Sequence, residues 1–558
     1  GDGTDSLMVT STGLGVLPSP GKMTNIESIG IIDTVHQSLD FSSFGQMTNI
    51  ELEGGTTIDG GLITTTLAAN QSLTLDSITD GDTSAASLGD GGIRISQASG
   101  ITSLELILDD VGPNTSTTNE NVFIDIAGTS VSNLKVTSGN DSFVVISNSG
   151  GVLVGLELLG TGTMALGTLP NSITNVNGAA ASANLSLTIG NGNNTIRGGI
   201  GNDAITLTGG TNDVQTGEGN DTITTATNLV VGDRIDGGDG TDTLEIIHTG
   251  LATIPSTANL TSIEQIAIQD TVHQSLDFSS LTTITGVELK GGTTVDGSLI
   301  TTTLAANQSL TLDSITDGDT AAAALGDGGM RIAHAGSVTS LDLTLDDIGP
   351  AASSAGQNVF LDIAGTGLAT LNVASANDSF VVIENSGSAL TTLNLQGSGN
   401  LGIMSALPSA ISTINGATAS ANLTITLGTT GSTINTGSGN DQITITGGGN
   451  TVTASSGQDT IIVSGGTNNI NTGSSNDTIT LSGGTNTVVT GNNDDVVTAS
   501  NGINDIDTED GNDQVTLTGG TNDVNTGGNN DTVILSSGTD VVNMGSGNDT
   551  VEANGNLS

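Results

Sequence analysis

Seven aspartates, Asp441, Asp459, Asp477, Asp495, Asp513, Asp531 and Asp549, stand at every eighteenth position of the C-terminal stretch. Few folds honour so strict a period. Each preceding segment is a turn such as Gly437-Ser-Gly-Asn-Asp441 or Gly545-Ser-Gly-Asn-Asp549. Two and four positions after the Asp come apolar side chains: Ile443 and Ile445, Ile461 and Val463, Val515 and Leu517. That alternation is a short strand with one face buried. Asn450, Asn468, Asn486, Asn504 and Asn522, then Asp540, stand nine positions after each Asp, behind a second Gly-rich turn, and a further apolar residue follows two positions on. Each period therefore spells turn, strand, turn, strand. One such coil cannot cover its apolar face, but stacked coils share a continuous core. The expected fold is an all-β solenoid.

A second, larger repeat has a period of 237. Leu62 to Thr83 recurs without a change as Leu299 to Thr320, and the opening Gly-Asp-Gly-Thr-Asp5 recurs as Gly238 to Asp242. The chain divides into a repeat end at 1–5, a module at 6–189, a short repeat block at 190–242, a second module at 243–427 and a long repeat block at 428–558. Gly1 opens in the register of Gly238, so we expect the chain to be a portion of a longer array or to be matured by cleavage. In the modules, short strands such as Ser103-Leu-Glu-Leu-Ile107 and Leu423-Thr-Ile-Thr-Leu427 recur at looser spacing between Gly, Asn and Ser turns. They read as irregular parallel β-helix, with a β-sandwich as the competing architecture.

Composition narrows the function. The chain holds 58 Asp and Glu against 7 Lys and Arg, a net charge of −51. So few cations exclude a protein that neutralises nucleic-acid phosphates. The absence of Cys excludes disulfide scaffolds and thiolate metal sites. No apolar run is long enough to span a bilayer as a helix. Stacked Asp side chains roughly 4.8 Å apart, the spacing of paired strands, repel one another unless a cation lies among them. Gly turns free carbonyls to point inward, and Ca²⁺ takes six to eight oxygens.

Thr436 to Thr444 (TGSGNDQIT) and Gly198 to Thr206 (GGIGNDAIT) resemble the RTX nonapeptide G-G-x-G-x-D-x-U-x, where U is apolar. The resemblance implies a parallel β-roll with Ca²⁺ held between coils by Asp carboxylates and turn carbonyls. The candidate ligands are Asp203, Asp221 and Asp242 in the short block and the seven Asp of the long one. Related loops add Asp5, Asp141 and Asp378. Acid-rich module loops add Asp80, Asp82 and Asp90 with their repeats Asp317, Asp319 and Asp327, and the pairs Asp109-Asp110 and Asp346-Asp347. Only alternate turns carry Asp, which predicts Ca²⁺ on one edge and an Asn side-chain ladder on the other.

The architecture also resembles the calcium-dependent S-layer proteins of Gram-negative bacteria. That implies a type I secreted protein at the bacterial cell surface, self-associating head to tail or in a lattice, with cell-surface polysaccharide as a partner. The alternative function is the stalk or ligand-binding region of an RTX adhesin. An ice-binding variant of it would use Thr472, Thr490, Thr508 and Thr526 as a flat rank on the Asn edge. No catalytic constellation is present. His36 and His273, like Arg94 and Arg331, recur as duplicated neighbours do, and no HExxH motif occurs.

Overall fold

The structure is a computed structural model. It describes all residues except 1–3, 11–16, 18, 33–36, 56–61, 80–91, 98–99, 113–121, 227–228, 231, 248–258, 270–273, 295–298, 318–328, 335–337, 350–357 and 555–558. Two compact units emerge: Gly1–His248 with Pro255–Ala267, and Ile268–Ser558 with Thr249–Ile254. Among the described residues no α-helix occurs, and helical backbone is confined to 3-10 turns such as Pro20–Lys22. No helix there is long and apolar enough to cross a membrane.

In each unit, strands pair in parallel with the strand one coil away, which along most of the described chain is not the next strand in sequence. In the second unit, Gln442–Ile445 pairs with Thr460–Val463, and that strand with Thr478–Leu481. The intervening strands Gly449–Thr453, Thr467–Asn471 and Thr485–Val489 form a separate ladder. Each coil thus gives one strand to each of two sheets. A β-sandwich is built from antiparallel pairs, so the parallel registers of the modules reject that alternative.

Module and repeat block in each unit differ in coil length, not in kind. Ser340 pairs with Thr370, Thr370 with Thr392, Thr392 with Thr413, Thr413 with Thr433 and Thr433 with Thr451. The step along the sequence shortens at every pairing until it reaches the period of the repeats. In the first unit, Ser103, Asn133, Gly155, Asn175 and Thr195 make a like descent, and the Asn194–Asn212 pair reaches the same period. Long coils carry their extra residues in loops, which is why the modules lose the strict spacing.

The core is a set of stacked columns. Ile443, Ile461, Ile479, Val497, Val515 and Val533 form one, fully buried. Val452, Ile470, Val488, Ile506 and Val524 form another on the second sheet. Branched aliphatic side chains fit because a pleated strand presents alternate residues to one face and their stiff χ1 suits a stack of identical neighbours.

The second turn of each coil bears out the expected Asn ladder. The Asn468 Nδ2 donates to Asn486 Oδ1 (2.8 Å), Asn486 to Asn504 (2.8 Å), Asn504 to Asn522 (2.7 Å) and Asn522 to Asp540 (2.6 Å). The same nitrogen of Asn468 also donates to Gly465 O at 3.0 Å. Both amide hydrogens and the amide oxygen are engaged, so the buried polar column carries no desolvation penalty of an unpaired group. The first unit has a short version, Asn194 to Asn212 at 2.8 Å, ending on buried Asp233.

Candidate metal centre

The Asp turns stack in register, as the parallel bridges from Ser456 through Ser474, Asn492, Asp510 and Gly528 to Ser546 record. At each of these second-unit turns the residue four before the Asp has positive φ: Gly473 (100°), Gly491 (95°) and Gly527 (79°), but also Ser455 (73°) and Glu509 (63°). Gly is favoured there on two grounds, although Ser455 and Glu509 also occupy the position. A Cβ on Gly473 would press into the Ser455 carbonyl oxygen of the coil before it, and L-residues avoid this φ region.

This turn drives the Asp side chain inward. Asp441, Asp459, Asp477, Asp495, Asp513 and Asp531 are each only 1% exposed. Each uses its backbone N–H to bind Oδ1 of the next: Asp441 to Asp459 at 2.7 Å, Asp459 to Asp477 at 2.8 Å, Asp477 to Asp495 at 2.7 Å and Asp495 to Asp513 at 2.8 Å. The bonds continue from Asp513 to Asp531 (2.9 Å) and from Asp531 to Asp549 (3.0 Å). The first unit repeats the arrangement, with Asp203 bound to Asp221 at 2.7 Å and Asp221 to Asp242 at 2.8 Å.

One oxygen per carboxylate is therefore used, and the other is stranded. Oδ2 of Asp221, Asp242, Asp441, Asp459, Asp477, Asp495, Asp513 and Asp531 is buried without a hydrogen-bond partner. Asp203 differs, because its Oδ2 accepts from Gly199 N at 3.1 Å. A threonine stands beside several of these carboxylates, but Thr472 Oγ1 donates its one proton to Thr490 O (3.1 Å) and Thr490 Oγ1 to Thr508 O (3.3 Å). Burial pushes Asp203 and Asp459 up to about 7 and Asp441, Asp495 and Asp513 up to about 6. Charges on adjacent coils add to the effect, Asp221 on Asp203 and Asp441 with Asp477 on Asp459. Buried polar atoms in native proteins nearly always find a partner. A row of orphaned carboxylate oxygens is the donor chemistry of a hard cation. Among the described residues no three acidic or His side chains converge on one point, so backbone and solvent oxygens would have to complete any Ca²⁺ shell here.

The remaining sequence candidates fall elsewhere. Asp141 and Asp378 are exposed and lie one register away. In that outer ladder Asp378 Oδ1 accepts from Asn400 N (2.9 Å), Asn400 Oδ1 from Asn422 N (3.0 Å) and Asn422 Oδ1 from Asn440 N (2.7 Å). They therefore match the Asn before each repeat Asp; the buried column passes instead through Ser379, Leu401 and Leu423 to Asp441. Asp109 and Asp346 accept from the Nδ2 of Asn140 and Asn377, each at 2.5 Å. Asp110 lines an open surface hollow with Asp141 and Thr161, and Asp110 and Asp347 share a φ of 55°. Asp80, Asp82, Asp90, Asp319 and Asp327 lie outside the described residues, as do His36 and His273; Asp317 has its backbone in a short strand with Thr316.

Two expectations need correction or addition. Thr472, Thr490, Thr508 and Thr526 are fully buried beside the Asp column, so they present no rank to a surface. Glu27 and Glu264 went unremarked in the sequence, yet Asp5 N donates to Glu27 Oε2 and Asp242 N to Glu264 Oε2, both at 2.9 Å. Arg94 and Arg331 are structural clamps: each Nε sits 2.7 Å from Oδ2 of fully buried Asp125 or Asp362.

A comparison with curated proteins finds no match. The family model described as the RTX calcium-binding nonapeptide repeat (4 copies) matches residues 188–223, 444–479 and 516–551. Those stretches hold Asp203, Asp221, Asp459, Asp477 and Asp531 of the buried columns, and the half-buried Asp549. The chain is thus one that carries RTX calcium-binding nonapeptide repeats in both of its units.

Proposed function

We propose that the chain is an extracellular structural protein that folds on Ca²⁺ and self-assembles at a bacterial cell surface, as an S-layer, a surface filament or a matrix. The observation that carries the calcium part is the buried Asp with a stranded Oδ2, two in the first unit and six in a row in the second, lying within or beside repeats of a calcium-binding kind. A cation that binds the folded chain and not the unfolded one drives folding by mass action. A cation-poor chain without Cys suits export unfolded, by the type I route, from low-calcium cytosol into millimolar Ca²⁺ outside. The proposed role is structural and not catalytic. In this role the Asp carboxylates would hold the ion while the Asn ladder holds coil register independently of it.

Electron microscopy of the purified chain with and without Ca²⁺ tests the assembly. Lattices or filaments that form in millimolar Ca²⁺ and vanish with chelator support the reading. Dispersed single particles under both conditions would leave an adhesin stalk, the role suggested by the two near-identical modules, as the better account.

A further inference from the structure

The Asp column of the first unit does not stop where its repeat motif stops. Asp242 is the last Asp of the block and is fully buried, and its Oδ2 has no hydrogen-bond partner. Its N–H donates to Glu264 Oε2 at 2.9 Å. That is the bond each earlier Asp makes to the carboxylate of the following coil, now made to a longer side chain across a longer coil. Glu264 N returns the contact by donating to Asp242 O at 3.1 Å. The carboxylates of Asp221, Glu264 and Asp236 are charged neighbours of Asp242. The arrangement recurs at the start of the chain, where Asp5 N meets Glu27 Oε2 at 2.9 Å and Glu27 N donates to Asp5 O at 3.0 Å. Both module copies thus hold the Glu in the same reciprocal geometry.

We infer that Glu264 is a calcium ligand that closes the first unit's Asp column, pairing with Asp242, and that Glu27 pairs with Asp5 in the same way, in sites that no nonapeptide motif marks. The inference rests on the proposal that the Asp columns take up Ca²⁺. Glu suits the place because its carboxylate reaches the Asp242 N–H at 2.9 Å as the Asp242 carboxylate reaches the Asp221 N–H at 2.8 Å. Two carboxylates supply the formal charge of one Ca²⁺, with turn carbonyls and water for the rest of its shell.

The test is calcium stoichiometry by calorimetry or equilibrium dialysis on the full chain. Glu264→Gln keeps an oxygen to accept the Asp242 N–H and removes only the charge, so a purely capping role survives it. The wild type is expected to bind one Ca²⁺ more than Glu264→Gln or Glu27→Gln, and two more than the double variant, with an unchanged β circular-dichroism signal at saturating Ca²⁺. Asp242→Asn combined with Glu264→Gln is expected to lose no more than either alone, since both address one ion. If the wild type binds Ca²⁺ and the Gln variants bind the same number with the same affinity, the inference is overturned and Glu is a cap. If the wild type takes up no Ca²⁺, the underlying calcium proposal falls with it.

Discussion

Asp459→Asn should change stability in opposite directions depending on calcium. Asp459 sits mid-column, 1% exposed, its Oδ1 bound by Asp441 N and its Oδ2 stranded. Burial and the carboxylates of Asp441 and Asp477 push it up to about 7, against about 4 in an unfolded chain. The folded state therefore holds more protons between pH 4 and 7, and metal-free stability falls as pH rises through that window. Above it, the ionised side chain costs the fold roughly 4 kcal/mol at most. Solvent screening at the turn and proton sharing along the column bring this to about 1–2 kcal/mol. Asn keeps the Oδ1 acceptor and removes the charge. In chelator at pH 8 the variant should be more stable than wild type by about 1–2 kcal/mol. In millimolar Ca²⁺ it should be less stable, because an ion at 100 times its Kd contributes about 2.7 kcal/mol that the variant forfeits. The chain has no Trp or Tyr, so circular dichroism during guanidinium unfolding is the probe, read as a midpoint because repeat arrays need not unfold in two states. A shift of the same sign in both conditions would refute the reasoning.

Other outcomes follow from the same geometry. Metal-free protein should gain β signal on acidification from pH 8 to pH 5, as Asp203, Asp441, Asp459, Asp495 and Asp513 take up protons, and calcium affinity should weaken over the same range; a flat circular-dichroism titration would contradict this. Gly473→Ala should cost more than about 2 kcal/mol in chelator and in Ca²⁺ alike, since φ is 100° and the Cβ meets a backbone carbonyl, whereas Glu509→Gly should stabilise by up to about 1 kcal/mol; guanidinium midpoints decide both. Asn486→Asp removes the donors to Gly483 O (3.0 Å) and Asn504 Oδ1 (2.8 Å) and buries a charge, for a loss of about 2–4 kcal/mol that calcium should not rescue in the same unfolding assay.

Much of this was legible because one sequence period closes one coil. The spacing placed Asp441 to Asp549 in one column and Asn450 to Asn522 in another, and alternation marked Ile443 or Val515 as core. What escaped lay where that period breaks. Asp141 and Asp378 follow a Gly-Asn or Ala-Asn pair, as the repeat Asp do, but their coils are longer and the chain enters the strand one position later. A one-residue slip in a strand exchanges buried for exposed, so Ser142 and Ser379 point inward instead. Glu264 escaped for a related reason, since a longer step and a different residue type hide its kinship with Asp242. The Thr472 rank was misplaced because hydroxyls that serve a carbonyl in the next coil look, in sequence, like any surface Thr.

The central claim is that calcium is part of the fold. Far-UV circular dichroism of the full chain, stripped of metal and then titrated with Ca²⁺ at pH 8, tests it most directly. The β signal should be reduced in excess chelator, leaving a weaker folded remnant that guanidinium still melts, and should rise cooperatively to its full value as Ca²⁺ is added. A metal-free chain with the full β signal, unchanged by the titration, would contradict the account.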